Sequence, residues 1–186
     1  MDIGVISIRY ARALVAYAFD EGVEDELYRE FTQLTHSFSQ FPELRYTLDN
    51  PILPRKEKLK LICVAANGEG ESTPVFVRFV RLVLHHHREF YLQFMALTFL
   101  ALYRKRKHIG KGTLITAVPV DEKTREEIRQ TAGSLLHTEM ELDTLVDPTI
   151  EGGFIFDISD YRLDSSIATQ LKKVKQQFIE KNKRIV

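Results

Sequence analysis

The sequence predicts an α-helical N-terminal six-helix bundle followed by a small α/β domain with the order β-α-β-β-α. From Ile3 to Tyr103 the apolar residues recur at helical spacing. Residues 114–119 and 154–159 instead alternate with the two-residue period of strands. Between these regions, residues 104–112 are rich in Lys and Arg and contain two glycines, which is typical of a domain boundary.

Start and stop signals divide the first part of the chain into helices. The acidic turn Glu24-Asp25-Glu26 begins the second helix, Pro42 follows its end, and Thr73-Pro74 combines a cap residue with proline at the first helical position. Because the connections are short, we expect neighbouring helices to pack antiparallel. The expected helices are one through Asp20, one from Glu24 to Phe41, a short one to Leu48, one from Pro54 to Ala66, one opening at Pro74, and one from Glu89 to Tyr103.

The remainder of the chain predicts the mixed domain. After a strand that ends at Pro119, the pattern is helical from Thr124 to His137 and extended from Glu139 to Val146. A strand over 154–159 and a final helix follow. We therefore expect a helical domain over residues 1–103 that folds by itself, a basic linker over 104–112, and an α/β domain over 113–186.

The segment from Val146 to Leu171 is the most specific part of the sequence. Gly152-Gly153 can turn the chain without strain, and the oxygens of the Asp164-Ser165-Ser166 run can cap the helix that follows. The residues that define the pattern, with their spacing, are Asp147, Pro148, Gly152, Gly153, Asp164, Ser166 and Leu171.

This pattern resembles the C-terminal signature of the F-type ATP synthase delta subunits, the family that includes the mitochondrial oligomycin-sensitivity-conferring protein. Glu151 and Ser165 depart from the usual apolar residue and glycine. The resemblance continues at the other end of the chain, where the run from Arg9 to Leu14 is similar to the first helix of the family, and Phe79 with Arg88 to the end of its fifth. It therefore covers the whole chain.

The first helix is apolar on two sides. One apolar stripe consists of Ile6, Tyr10, Ala13, Leu14 and Tyr17, and the second consists of Ala11, Val15 and Ala18. The residues alone slightly favour core packing for both stripes. The resemblance implies instead that the first and fifth helices form a groove for the amphipathic N-terminal helix of an alpha subunit. The expected groove residues are Ile6, Tyr10, Ala13, Leu14, Tyr17, Phe76, Phe79 and Val83.

By resemblance, the protein is a non-catalytic stator subunit that holds the catalytic head through its first domain and the C-terminal helices of the b subunits through its second. The location that the resemblance implies is the cytoplasmic face of a bacterial membrane. Direct membrane insertion is not expected, because no apolar run is long enough to span a bilayer. The rival interpretations are a free-standing helical adaptor and a nucleic-acid-binding protein that uses the basic cluster 104–111.

The composition does not support nucleic-acid binding, because the 26 Lys and Arg residues are balanced by 26 Asp and Glu residues. The single cysteine, Cys63, excludes an intrachain disulfide.

No catalytic residue, cofactor site or metal site is expected. Neighbouring side chains on a helix point in different directions around its axis. The imidazoles of His85, His86 and His87 therefore cannot bind one metal ion together. The run Gly110-Lys111-Gly112-Thr113 lacks the earlier glycine of a phosphate-binding loop. The carboxylates of Glu151, Asp157, Asp160 and Asp164 are better explained by a turn and a helix cap than by acid and base catalysis.

Overall fold

The computed structural model describes residues 3–68, 70–136, 139–158 and 161–183, and the chain divides into two units, residues 1–106 and 107–186. Ser159, Asp160 and His137, which enter the predictions above, lie outside the described residues.

The described part of the first unit is helical, as predicted. The predicted sixth helix differs at both ends, because Glu89–Tyr91 forms a 3-10 turn and the α-helix continues past Tyr103. The helices are α1 (Ile3–Glu21), α2 (Glu24–Gln40), α3 (Glu43–Asp49), α4 (Arg55–Asn67), α5 (Pro74–His85) and α6 (Leu92–Lys107).

A buried carboxylate fixes the beginning of α5. The Thr73 hydroxyl accepts a hydrogen bond from the Phe76 amide at 3.3 Å, as expected of a cap residue. The carboxylate of Glu30, on α2, accepts hydrogen bonds from both the amide and the hydroxyl of Thr73, each at 2.7 Å, and from the Asn67 amide group at 2.6 Å. Three elements therefore meet at one side chain that is only 4% exposed.

The core of this unit is centred on an aromatic cluster. Phe31, on α2, is fully buried, and its ring centroid lies 5.1 Å from that of Phe76, 5.8 Å from that of Phe79 and 4.8 Å from that of Phe99. Such aromatic pairs contribute about 0.5–1.5 kcal/mol each beyond the area they bury. The cluster therefore holds α2, α5 and α6 together.

The 3-10 turn before α6 is held by a buried ion pair. The Nζ atom of Lys58, on α4, lies 2.7 Å from the carboxylate of Glu89, and both side chains are largely buried. Loss of either partner would leave an uncompensated charge inside the protein.

The second unit contains a mixed four-stranded sheet with the strand order β2-β1-β3-β4. The strands β1 and β2 are parallel and are connected through α7, whereas β1 pairs antiparallel with β3 and β3 pairs antiparallel with β4. The elements are β1 (Ile109–Thr116), α7 (Glu122–Leu136), β2 (Glu139–Val146), a 3-10 turn (Pro148–Ile150), β3 (Phe154–Ile158), β4 (Tyr161–Asp164) and α8 (Ile167–Lys183).

The predicted order β-α-β-β-α lacks one strand that the structure contains. Residues Tyr161–Asp164 form β4, with Leu163 opposite Phe156 and Arg162 opposite Asp157. This edge strand is short and exposed along nearly all its length, so its sequence carries no alternation of buried and exposed residues.

The predicted basic linker over 104–112 is also different. Arg104 to Lys107 complete α6, and Ile109 to Gly112 open β1, so only His108 separates helix from strand. Arg104 donates a hydrogen bond to the Tyr28 hydroxyl at 2.9 Å, and the Arg106 guanidinium lies 4.0 Å from the Phe19 ring centroid. These contacts explain why the helix extends through a charged segment.

The Gly-Gly pair forms the turn before β3. At Gly153, where φ is +74°, an added Cβ would lie 2.3 Å from the Ser165 carbonyl oxygen. The Ile167 amide donates to the Gly152 carbonyl at 2.9 Å, so the turn also contacts the first residue of α8. Neither the conformation nor the space at Gly153 admits a side chain.

We expect Gly153→Ala to reduce the free energy of unfolding of the second unit by roughly 3 kcal/mol, because it combines a positive φ with a backbone clash. Urea unfolding measures the change. Gly22→Ala is the matched control, since Gly22 has φ +69° but nothing within 4 Å of an added Cβ, and should cost the first unit only about 1 kcal/mol. Equal losses for the two variants would contradict the proposed clash.

Candidate functional site

A groove separates α1 from α5. Near one end, the Arg88 guanidinium donates a hydrogen bond to the Tyr10 hydroxyl at 2.7 Å, and Tyr10 meets the edge of Phe79 at 6.3 Å between centroids. Near the other end, Arg78 donates to the Tyr17 hydroxyl at 3.3 Å. Tyr10 therefore lies near Phe79 and near Arg88, which follows the end of α5, whereas Tyr17 lies near Arg78, so the order of these contacts is antiparallel.

The groove has a volume of about 850 Å³ and a mainly apolar lining. The structure brings five of the predicted groove residues into its lining: Tyr10, Ala13, Leu14, Tyr17 and Phe79. Ala13 is exposed, and its small side chain leaves room for another helix to approach α1 closely. The remaining lining residues are Arg9, Val75, Arg78, Arg81, Leu82, His85 and His86.

Three predicted groove residues do not line the groove. Phe76 and Val83 are fully buried and Ile6 is 7% exposed, and all three belong to the core. The sequence prediction missed Val75 and Leu82, which lie one turn on either side of Phe79 and share its helix face. Periodicity could have identified this face, but it could not show which apolar side of α5 is directed outward.

The C-terminal signature fixes the start of α8. Asp164 Oδ1 accepts hydrogen bonds from the Ser166 amide at 3.0 Å and hydroxyl at 2.7 Å, and Oδ2 accepts from the Thr169 hydroxyl at 2.8 Å. The Ser166 hydroxyl oxygen accepts from the Thr169 amide at 3.3 Å. The Asp147 carboxylate similarly accepts from the Thr149 amide at 2.9 Å and caps the 3-10 turn that Pro148 begins.

Beyond its cap, α8 carries an exposed apolar stripe. Leu171, the last signature residue, is 56% exposed. Ile167, Val174 and Phe178 are also exposed, at spacings of four, three and four residues that place them on one helix face. Such a face is typical of a surface that packs against another helix.

Other candidate sites are explained by local contacts. His87 Nε2 lies 2.7 Å from Arg55 Nη2, and the rings of His85 and His86 meet edge to face at the C-terminal end of α5. Over the described ranges, no group of three or more His, Cys, Asp or Glu side chains is placed to hold a metal ion. Lys111 pairs with Asp143 on the neighbouring strand at 2.9 Å.

Among the described residues, no helix combines the length and apolarity needed to cross a bilayer.

Comparison with known proteins identifies the family. The family model described as ATP synthase delta (OSCP) subunit matches residues 6–178. The chain belongs to the ATP synthase delta (OSCP) subunit family. It is therefore a non-catalytic subunit of an F-type ATP synthase and part of its peripheral stalk.

Curated relatives support the same assignment over the whole length. The chain is 63% identical to the ATP synthase subunit delta of Bacteroides thetaiotaomicron over 186 residues, which is 100% of both chains. It is 40% identical to that of Parabacteroides distasonis over 180 residues, covering 97% of this chain and 99% of the relative.

A solved structure shows the same fold. A chain in the mitochondrial ATP synthase hexamer of Toxoplasma gondii matches 93% of this chain and 97% of its own length, with a TM-score of 0.69 and 19% identity.

We expect the Asp164 cap to stabilise the delta-family C-terminal unit in a pH-dependent way. Hydrogen bonds from the Ser166 hydroxyl, the Ser166 amide and the Thr169 hydroxyl lower the pKa of Asp164 from 3.8 to about 2. A depressed folded-state pKa means that the stabilisation is fully present above about pH 4 and is lost as the pH falls through about 2.

The test compares urea unfolding of the wild type and Asp164→Asn across this range. Asp164→Asn should be less stable at pH 7, and the difference should shrink between pH 4 and pH 2. Other carboxylates titrate in both proteins, so the difference isolates Asp164. A difference that stays constant with pH would contradict the assignment.

Proposed function

We propose that the groove between α1 and α5 binds the amphipathic N-terminal helix of the alpha subunit. The exposed Ala13 and Leu82 on facing walls support this assignment, because a docking helix would bury both. The buried neighbours Phe79 and Leu14 provide a firm base beneath them.

We propose that the second unit binds the C-terminal helices of the b subunits through the exposed stripe of α8. The spacing of Ile167, Leu171, Val174 and Phe178 is the spacing at which one helix packs into the groove of another. In the isolated chain these side chains face solvent, which is costly unless a partner covers them.

Together the two surfaces would connect the catalytic head to the peripheral stalk. Rotation of the central shaft would drag the catalytic head with it unless the head is tied to a stator. Within one assembly, each contact raises the effective concentration of the other, so two moderate affinities produce one firm connection. The corresponding location is the cytoplasmic face of a bacterial cell membrane, with this subunit attached at the periphery of the complex.

Ala13→Asp tests the groove. An unpaired carboxylate buried under a docked helix costs several kcal/mol, so affinity for a synthetic peptide of the alpha N-terminus should fall at least tenfold, or about 1.4 kcal/mol. Calorimetric titration against the full-length protein gives the dissociation constant, and circular dichroism checks folding.

Ala16→Asp is the matched control, since Ala16 is an exposed residue of the same helix that does not line the groove. It should leave the affinity unchanged. A folded Ala13→Asp variant that binds the peptide as tightly as the wild type would show that the helix docks elsewhere.

Leu171→Asp tests the second surface. Because Leu171 is exposed in the free protein, the variant should fold normally but lose at least tenfold in affinity for a dimer of the C-terminal segments of the b subunits. Gln176→Asp, on the opposite face of α8, serves as the control and should bind normally. If Leu171→Asp binds the b-subunit dimer as tightly as Gln176→Asp and the wild type do, the Leu171 face of α8 is not the binding surface.

A further inference from the structure

The charged residues that line the groove between α1 and α5 are of one sign. Arg9, Arg78 and Arg81 contribute guanidinium groups, and His85 and His86 lie at the end of α5. Among the described residues that line the groove there is no Asp or Glu. The chain as a whole has equal numbers of acidic and basic residues, so a general excess of positive charge does not explain this lining.

These arginines have donors available for a partner. Arg9 and Arg81 are exposed, and within the described ranges neither forms an ion pair with a carboxylate. Arg78 is exposed and uses one nitrogen on the Tyr17 hydroxyl. By contrast, Arg129 is already paired with Glu126 at 2.6 Å on α7.

The cations are distributed along the groove. Arg78 lies at the Tyr17 end, and Arg81 lies three residues further along α5, or roughly 4.5 Å at the helical rise. Arg9 is on the facing helix, beside Tyr10 in the sequence and toward the other end of the groove. An occupant helix would therefore meet guanidinium groups from both walls of the groove.

We propose, on the basis of the groove function proposed above, that this groove selects an amphipathic helix whose apolar stripe is flanked by carboxylates. Arg9, Arg78 and Arg81 are the specificity-determining residues. The apolar walls supply most of the affinity, while the arginines attract carboxylates and repel a helix flanked by Lys or Arg. Each exposed pair contributes little alone, but several pairs along one helix act together.

The experiment uses the full-length protein and three peptides. One is the alpha N-terminal peptide, and the other two share its apolar residues but carry only Glu or only Lys on both flanks. At about 50 mM salt the Glu-flanked peptide should bind at least tenfold more tightly than the Lys-flanked one. The ratio should shrink at about 500 mM salt because exposed charges are then screened.

Charge reversal assigns the effect to the groove. Arg9→Glu combined with Arg81→Glu should bring the two designed peptides to similar affinities or reverse their order. Arg12→Glu is the matched control, since Arg12 is exposed on α1 but does not line the groove, and should preserve the tenfold preference. Circular dichroism verifies that each variant is folded.

The outcomes separate this inference from the groove assignment. If the alpha peptide binds but the two designed peptides bind the wild type equally, or if charge reversal leaves the preference unchanged, the charge selection is wrong and the groove assignment stands. If none of the three peptides binds the wild-type protein, the groove assignment itself is wrong and the selection with it.

Discussion

The buried carboxylate of Glu30 is the constraint on which the first unit depends. A carboxylate removed from water is costly unless hydrogen bonds compensate it, and here the donors come from Asn67 at the end of α4 and Thr73 at the start of α5. This requirement fixes where α5 begins. The packing of Phe76 on Phe31 then sets which side of α5 faces the core and leaves Leu82 on the outer side. The groove that we propose as a binding surface is thus positioned by contacts outside it.

The extent to which the sequence predicted the groove follows from this arrangement. The start of α5 was predictable because Thr73-Pro74 is a local signal that depends on neighbouring residues only. The orientation of α5 about its axis was not predictable from the sequence, because the helix is apolar on more than one side. A contact with Phe31, which is distant in sequence, decides which side is buried. Phe76 and Val83 were therefore assigned to the groove although they belong to the core.

The second unit shows the same distinction between local and distant information. The turn at Gly153 and the cap at Asp164 follow from residue types at fixed spacing, so the sequence pattern located both. The strand β4 was missed because an exposed edge strand has no buried face to generate a pattern. The extension of α6 through Arg104 was missed because its contact with Tyr28 joins residues far apart in the chain.

The strand order has a consequence for synthesis on the ribosome. The central strand β1 is made before both of its neighbours, and its parallel partner β2 begins about thirty residues later, or roughly 2 to 6 s at usual elongation rates. During that interval Leu114 and Ile115 have no strand to pair with and are open to association with other nascent chains. The run Gly110-Lys111-Gly112 precedes them, and a charge between two glycines disfavours intermolecular sheet. This run therefore lowers the tendency of the segment to aggregate while the sheet is incomplete.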